Sequence, residues 1–158
     1  MTITQRYNKL AVQSNAGNEL NAVECLNFTL DSRLEQDTFW LASWPLCEVL
    51  RFNDSRYDWL MLVPRIADCT EITQLSAPQY QQLTLEIQQL ALLLQSYGQG
   101  HKLNVGALGN VVSQLHVHVV LRATDDPAWP GPVWGHSAAI QFTAETQVTE
   151  LQRWQAHL

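Results

Sequence analysis

Hydrophobic and polar positions recur along this chain with periods that name its elements. Tyr80, Leu83, Ile87, Leu90, Leu94 and Tyr97 follow one another at steps of three and four, forming one apolar stripe on a helix. Ser76-Ala77-Pro78-Gln79 starts that helix as a capping box, with Pro in the first turn where its missing N–H costs little. Gly98 stands where a helix C-terminal glycine is expected. The stripe is expected to pack on a sheet. Val148, Leu151, Trp154 and Leu158 mark the apolar side of a last helix that starts near Thr143, and Asp31 can cap a short helix running towards Thr38. Residues 46–52 read as a strand. Residues 59–63 form a continuous apolar run closed by Pro64, the pattern of a buried strand, and the polar turn at 53–58 joins the two as an antiparallel hairpin. Residues 102–108 and 111–122 predict two more strands around a turn at Gly109-Asn110. Hairpin, helix, hairpin, helix is an α+β order with an antiparallel sheet.

Residues 1–23 are rich in Asn and Gln and show no period, so they read as a loosely attached leader before a single domain at 24–158. They hold no apolar h-region, so no signal peptide is expected, and no apolar run reaches membrane-spanning length. The net charge of −6 over 158 residues repels phosphate polymers at long range, which argues against general nucleic-acid binding. A small nucleotide held by a few local donors remains compatible with it. The three cysteines are far apart and form no C-x-x-C, against a disulfide scaffold or a Cys-based zinc site; a reducing cytoplasm is the expected location.

The chemistry concentrates in Gln114-Leu115-His116-Val117-His118-Val119-Val120. Alternation along a strand puts Leu115, Val117, Val119 and Leu121 on one face, which is expected to pack on a helix. Gln114, His116, His118, Val120 and Arg122 share the other face, read as the side not occupied by the core. Three readings fit a His-x-His pair there. The two rings can be ordinary half-exposed, hydrogen-bonded histidines. They can be two ligands of a metal, which needs a third from His101, His136, Asp125 or Asp126. They can carry covalent catalysis, because imidazole is largely unprotonated and nucleophilic near neutral pH. In that reading His116 attacks the α-phosphorus of a nucleotide, His118 bonds the phosphate or orients His116, and water cleaves the phosphohistidine.

At this point the chain resembles the histidine-triad (HIT) superfamily, whose signature is His-φ-His-φ-His-φ-φ with φ apolar. Asn104, Gly109 and Asn110 match the upstream Asn, Gly and amide that usually accompany it. Leu60-Met61-Leu62-Val63-Pro64-Arg65 is similar to the family's strand leading into a Val/Ile-Pro-Lys/Arg turn, and the long helix lies between. The resemblance covers roughly residues 31–122. It implies a five-stranded antiparallel sheet with two main helices, commonly paired as a homodimer. It also implies hydrolysis or transfer of nucleoside monophosphate units through the central His, here His116. No metal is required for that attack, with magnesium accompanying a polyphosphate substrate. Two departures stand out. Gln114 replaces the first triad His and cannot carry positive charge. Val111 replaces a Ser or Thr hydroxyl that helps the leaving group, and Ser113 is expected to point away from Gln114. The expectation is a slow or specialised hydrolase, with a non-catalytic nucleotide-binding protein or a metal-dependent enzyme using His116 and His118 as alternatives.

Further residues stand beside these, and for Asn53 and Asp54 the family resemblance applies again. Asn53 and Asp54 stand where ribose hydroxyls are often held, though an ordinary turn fits them equally. Trp59, Leu60 and Leu62 are candidates for a base pocket, with core the better reading for Leu60. Asn104 and Asn110 are candidates to hold phosphate or the motif strand. Arg122 reads as a surface residue. The stretch Trp129-Pro130-Gly131-Pro132-Val133-Trp134 is similar to one in a bacterial HIT-like subgroup and reads as a lid, a dimer contact or, preferably, a packing cover.

Overall fold

A computed structural model describes residues 28–158. The expected leader at 1–23 lies outside the described residues. The chain runs α1 (Ser32–Asp37), β1 (Thr38–Ser43), β2 (Cys47–Phe52), β3 (Asp58–Pro64), a short 3-10 turn (Ile72–Gln74), α2 (Ala77–Tyr97), β4 (Lys102–Gly106), β5 (Val117–Arg122) and α3 (Ala144–Gln155). The five strands form one antiparallel sheet in the order β1-β2-β3-β5-β4. No helix among the described residues is long and apolar enough to cross a membrane.

Local sequence sets the helix ends as expected. Asp31 accepts from the Arg33 N–H and caps α1. Ser76 and Gln79 form the capping box of α2, and the Gly98 N–H closes the helix on the Leu94 carbonyl. Thr143 accepts from the Thr146 N–H at the start of α3. The α2 stripe buries Leu83, Leu90 and Leu94 against Val49, Leu60, Leu62, Val117, Val119 and Leu121, and α3 adds Trp154 to the same core. Tyr80 and Tyr97, at the two ends of the stripe, remain half exposed.

Four features correct the sequence reading. First, β1 was not foreseen; it is six residues long and bulged between Trp40 and Ala42, which breaks the alternation that would reveal it. Second, the hairpin at Gly109-Asn110 is much looser than predicted, because β4 stops at Gly106 and β5 starts at Val117. Leu115 N–H instead bonds the Cys69 carbonyl at 2.8 Å, which draws the connection away from β4. Third, the histidine face is not free of core. Phe28, Leu30, Leu34, Leu50, Tyr57, Trp59, Met61, Val63, Val120, Ala128 and Val133 make a second apolar cluster there. The continuous run of β3 reflects this, because a strand buried on both faces loses its polar alternation. Fourth, Arg122 is buried rather than superficial. It is 1% exposed, meets Asp126 at 2.7 Å and donates to Asn104 Oδ1 at 2.9 Å, so its charge enters the sheet already paired.

Buried carboxylates join helices to strands. Glu86 on α2 accepts from the N–H groups of Leu46 and Cys47 at 2.7 and 2.9 Å, where β2 begins. Glu150 on α3 pairs with Arg51 of β2 at 2.7 Å, while Arg51 also donates to the carbonyls of Phe52, Tyr57 and Trp59. Replacing Glu86 with Ala leaves two buried donors without an acceptor. Urea denaturation of Glu86→Ala is expected to show a loss of about 2 kcal/mol or more, whereas a stability within error of the parent would contradict this assignment.

Candidate active site

The register of β3 on β5 builds the centre of the site. Trp59 lies opposite Val120 and Met61 opposite His118, so Trp59 and His118 are diagonal neighbours on the second face of the sheet. Trp59 Nε1–H donates to His118 Nδ1 at 3.0 Å. An indole N–H only donates, so Nδ1 presents its lone pair and the neutral His118 ring carries its proton on Nε2. Trp59 is held in turn by stacking on Phe52, with ring centroids 4.3 Å apart. Burial, reinforced by neighbouring His116, pushes the His118 pKa down to about 3, so this ring is neutral at ordinary pH.

His116 carries the opposite tautomer. Its Nδ1 lies 2.7 Å from the Gln114 carbonyl oxygen. A carbonyl only accepts, so Nδ1 holds the proton and Nε2 of the neutral ring is a bare lone pair. The two rings are nearly perpendicular with centroids 4.8 Å apart, one presenting a lone pair at Nε2 and the other an N–H. Both residues are 7% exposed, yet His116 is not sealed. It lines a cleft of about 90 Å³ with Thr70, Glu71, Leu108 and Gly109. A larger cleft of about 460 Å³, which includes Asp31, Asp68, Thr70, Ser113 and Gln114, shares the Thr70 wall.

The remaining predicted residues divide. Gly109 adopts φ +69°, the left-handed region that favours glycine, and lines the small cleft. Asn110 is exposed in the same loop. Asn104 pairs with Val120 across β4 and β5 and is engaged by Arg122. Gln114 uses both ends of its amide on the chain itself: Nε2 donates to the Thr29 carbonyl and Oε1 accepts from the Asp31 N–H, each at 2.9 Å. Ser113 and Gln114 both line the larger cleft, within a loop at residues 107–116 that has no regular strand. Leu60 and Leu62 face the α2 core, away from the histidines.

Asn53 and Asp54 are not brought to the histidines. Three pairings, roughly 10 Å of strand, separate Met61–His118 from Asp58–Leu121, and the turn lies beyond Asp58. Asn53 Oδ1 accepts from the Phe142 N–H at 3.0 Å, and Asp54 is bound by Arg56 at 2.6 Å. The proposed third metal ligands do not gather either. Asp126 is held by Arg122, and His101 sits against Trp129 with centroids 5.4 Å apart. Among the described residues no group of three or more His, Cys, Asp or Glu could hold a metal ion.

Sequence reasoning missed Trp134 as a neighbour of the pair. Its ring centroid is 5.8 Å from that of His118 and 6.2 Å from that of Trp59. It rests on Gly106, where a β-carbon would lie 3.3 Å from Trp134 Cη2. The signal for this contact was a glycine in a strand, which marks a close approach.

The family model described as the HIT domain matches residues 33–125. A histidine triad (HIT) protein from Sinorhizobium meliloti 1021 is 42% identical, with 85% of this chain and 99% of that chain covered at a TM-score of 0.80. A histidine triad protein from Marinobacter aquaeolei VT8 is 42% identical, covering 82% of this chain and 94% of that one at a TM-score of 0.79. One from Bradyrhizobium japonicum is 40% identical, covering 82% and 97% at a TM-score of 0.78. No curated protein matches the sequence.

The His118 assignment has a direct spectroscopic consequence. Nitrogen-15 NMR is expected to show a neutral His118 ring protonated at Nε2 throughout the range from about pH 8 to pH 5. Its folded pKa lies below the ordinary 6.5, so its contribution to stability is complete above that value and is lost as pH falls towards about 3. Trp59→Phe removes the indole donor and is expected to let the His118 tautomers mix. Titration of His118 near pH 6.5 in the parent protein would refute the assignment.

Proposed function

The chain belongs to the HIT family, and from that premise we propose that it hydrolyses or transfers the nucleoside monophosphate unit of a small nucleotide through a covalent intermediate on His116. The observation that carries this reading is the pair of opposed tautomers. His116 offers a lone pair at Nε2, and His118 offers an N–H fixed by Trp59. Nε2 of His116 attacks the α-phosphorus, a P–N bond forms, and the bond to the leaving group breaks with its electron pair on the departing atom. That group takes its proton from solvent in the open cleft. His118 Nε2–H donates to a phosphoryl oxygen as negative charge gathers there. The phosphorylated His116 ring becomes cationic, and its Nδ1–H bond to the Gln114 carbonyl strengthens accordingly. Water then attacks phosphorus in hydrolysis, or a second acceptor does so in transfer, and the ring returns to its starting tautomer. None of these steps draws on a metal; magnesium would enter with a polyphosphate substrate.

Slow turnover is the form this chemistry takes here. Gln114 brings no positive charge to the phosphate, and its amide is committed to Thr29 and Asp31. Val111 is 72% exposed and has no hydroxyl to give the leaving group. A nucleotide-binding protein without turnover is the second reading, favoured by those same two positions.

One experiment separates them. Purified protein is mixed with adenylyl and guanylyl phosphoanhydrides and phosphoramidates, quenched in base and analysed by mass spectrometry. The proposal expects a nucleotidyl adduct on His116 and monophosphate release that falls on the order of 10³-fold or more in His116→Ala. Nucleotide binding with neither adduct nor release leaves the binding reading, and release that survives His116→Ala removes the covalent one.

A further inference from the structure

Trp134 Nε1 is buried and has no hydrogen-bond partner among the described residues. Tyr57 Oη is the other buried side-chain atom in that state, and it belongs to the β2–β3 turn, with Arg56 lying 5.2 Å over its ring. Trp134 is different because it lies at the histidine pair. A buried donor without an acceptor is costly, and natural folds leave few of them.

The seating of the ring says where this N–H lies. The Trp134 atoms nearest a β-carbon at Gly106 are Cη2 at 3.3 Å and Cζ2 at 3.5 Å. Nε1 belongs to the same edge of the indole, two bonds from Cζ2. Gly106 pairs with His118 in the β4–β5 ladder, so this edge lies towards the His118 position. The ring is also edge-on to Trp59, at 88° and 6.2 Å, which keeps the indole upright beside the Trp59–His118 bond. The indole edge that carries the N–H without an acceptor therefore lies beside His118, whose ring centroid is in turn 4.8 Å from that of His116. The strap that carries Trp134 is tied back by Asp126, which Arg122 holds at 2.7 Å and which accepts from the Ala128 N–H at 2.9 Å.

We infer that Trp134 is a ligand-binding residue: a cover over His118 that shifts when a nucleotide enters and then donates its indole N–H to the phosphoryl oxygens. The inference rests on the nucleotide reading of the site. The preferred chemistry of the acceptor is an anionic phosphoryl group, because His118 is neutral, Gln114 is committed elsewhere and a charged oxygen gains most from a second N–H donor. An indole donor at this place supplies part of what the missing first histidine does not.

The test uses the full chain with adenosine and guanosine monophosphates as probes. Indole N–H resonances are followed by proton–nitrogen NMR, with the Trp134 signal identified by its absence in Trp134→Phe. The expected result is a downfield shift of the Trp134 N–H on addition of either nucleotide. Affinity is expected to fall about 10-fold in Trp134→Phe, with a melting temperature no lower than the parent's, since an unsatisfied donor has gone. Gly106→Ala provides a second variant should Trp134→Phe not fold. Its new methyl group displaces the indole by a few tenths of an ångström while keeping the N–H, and a several-fold weaker affinity is expected. A parent protein that binds nucleotide with a silent Trp134 resonance and unchanged affinity in the variants overturns this inference alone. A parent protein in which no resonance responds to either nucleotide overturns the nucleotide reading, and this inference with it.

Discussion

The hydrogen bond from Trp59 to His118 is the constraint on which the site depends. It exists only because β3 and β5 are paired in one register, with Trp59 opposite Val120 and His118 opposite Met61. A slip of one residue by β5 would carry His118 to the α2 face, break its bond to Trp59 and leave its polar nitrogens inside an apolar core. The register is therefore protected by both cores at once. Leu60, Leu62, Val117 and Val119 pull the ladder towards α2 and α3, while Trp59, Met61 and Val120 pull it towards the segments that contain Phe28 and Val133. Neither imidazole depends on a carboxylate for its orientation. One receives an indole N–H and the other gives its own N–H to a backbone carbonyl, so the pair holds two different tautomers without a charged neighbour to set them.

How much of this could be read from the sequence depends on the range of the interaction. Local rules were sufficient for the capped helices, because Asp31, Ser76 with Gln79, and Thr143 act on backbone groups within one turn. The motif and the apolar run at β3 gave the sheet and its family. Non-local rules failed where a residue's partner is remote. Arg122 looked superficial because Asn104 and Asp126 must fold against it before its charge is met. Gln114 looked like a phosphate donor because nothing in its neighbourhood announces Thr29, 85 positions away. Alternation was carried one loop too far: β5 begins at Val117, so it holds for His118, whereas His116 ends the preceding loop and Ser113 lies inside it. Trp134 was visible as an odd residue in an odd segment, but its contact with the pair needed the β4–β5 ladder and the bare backbone of Gly106.

Gln114 also changes what counts as the edge of the site. Where the family signature has a histidine, this chain places an amide that bonds the backbone on both sides of Leu30. The residue exchanges a direct electrostatic role for an architectural one. It lines the larger cleft together with Thr29 and Asp31, and its carbonyl keeps the proton of His116 in place. The position thus remains important although its chemistry has changed.

The pairing of Arg51 with Glu150 joins positions 99 residues apart. During synthesis the ribosome releases the sheet and the long helix well before it releases α3. Until then Arg51 has its backbone carbonyls but no counter-charge, and the site that Trp154 fills in the main core stays empty. The main core therefore closes only when α3 docks, and a nascent protein halted before residue 144 would hold all five strands with one face of the sheet still short of its cover.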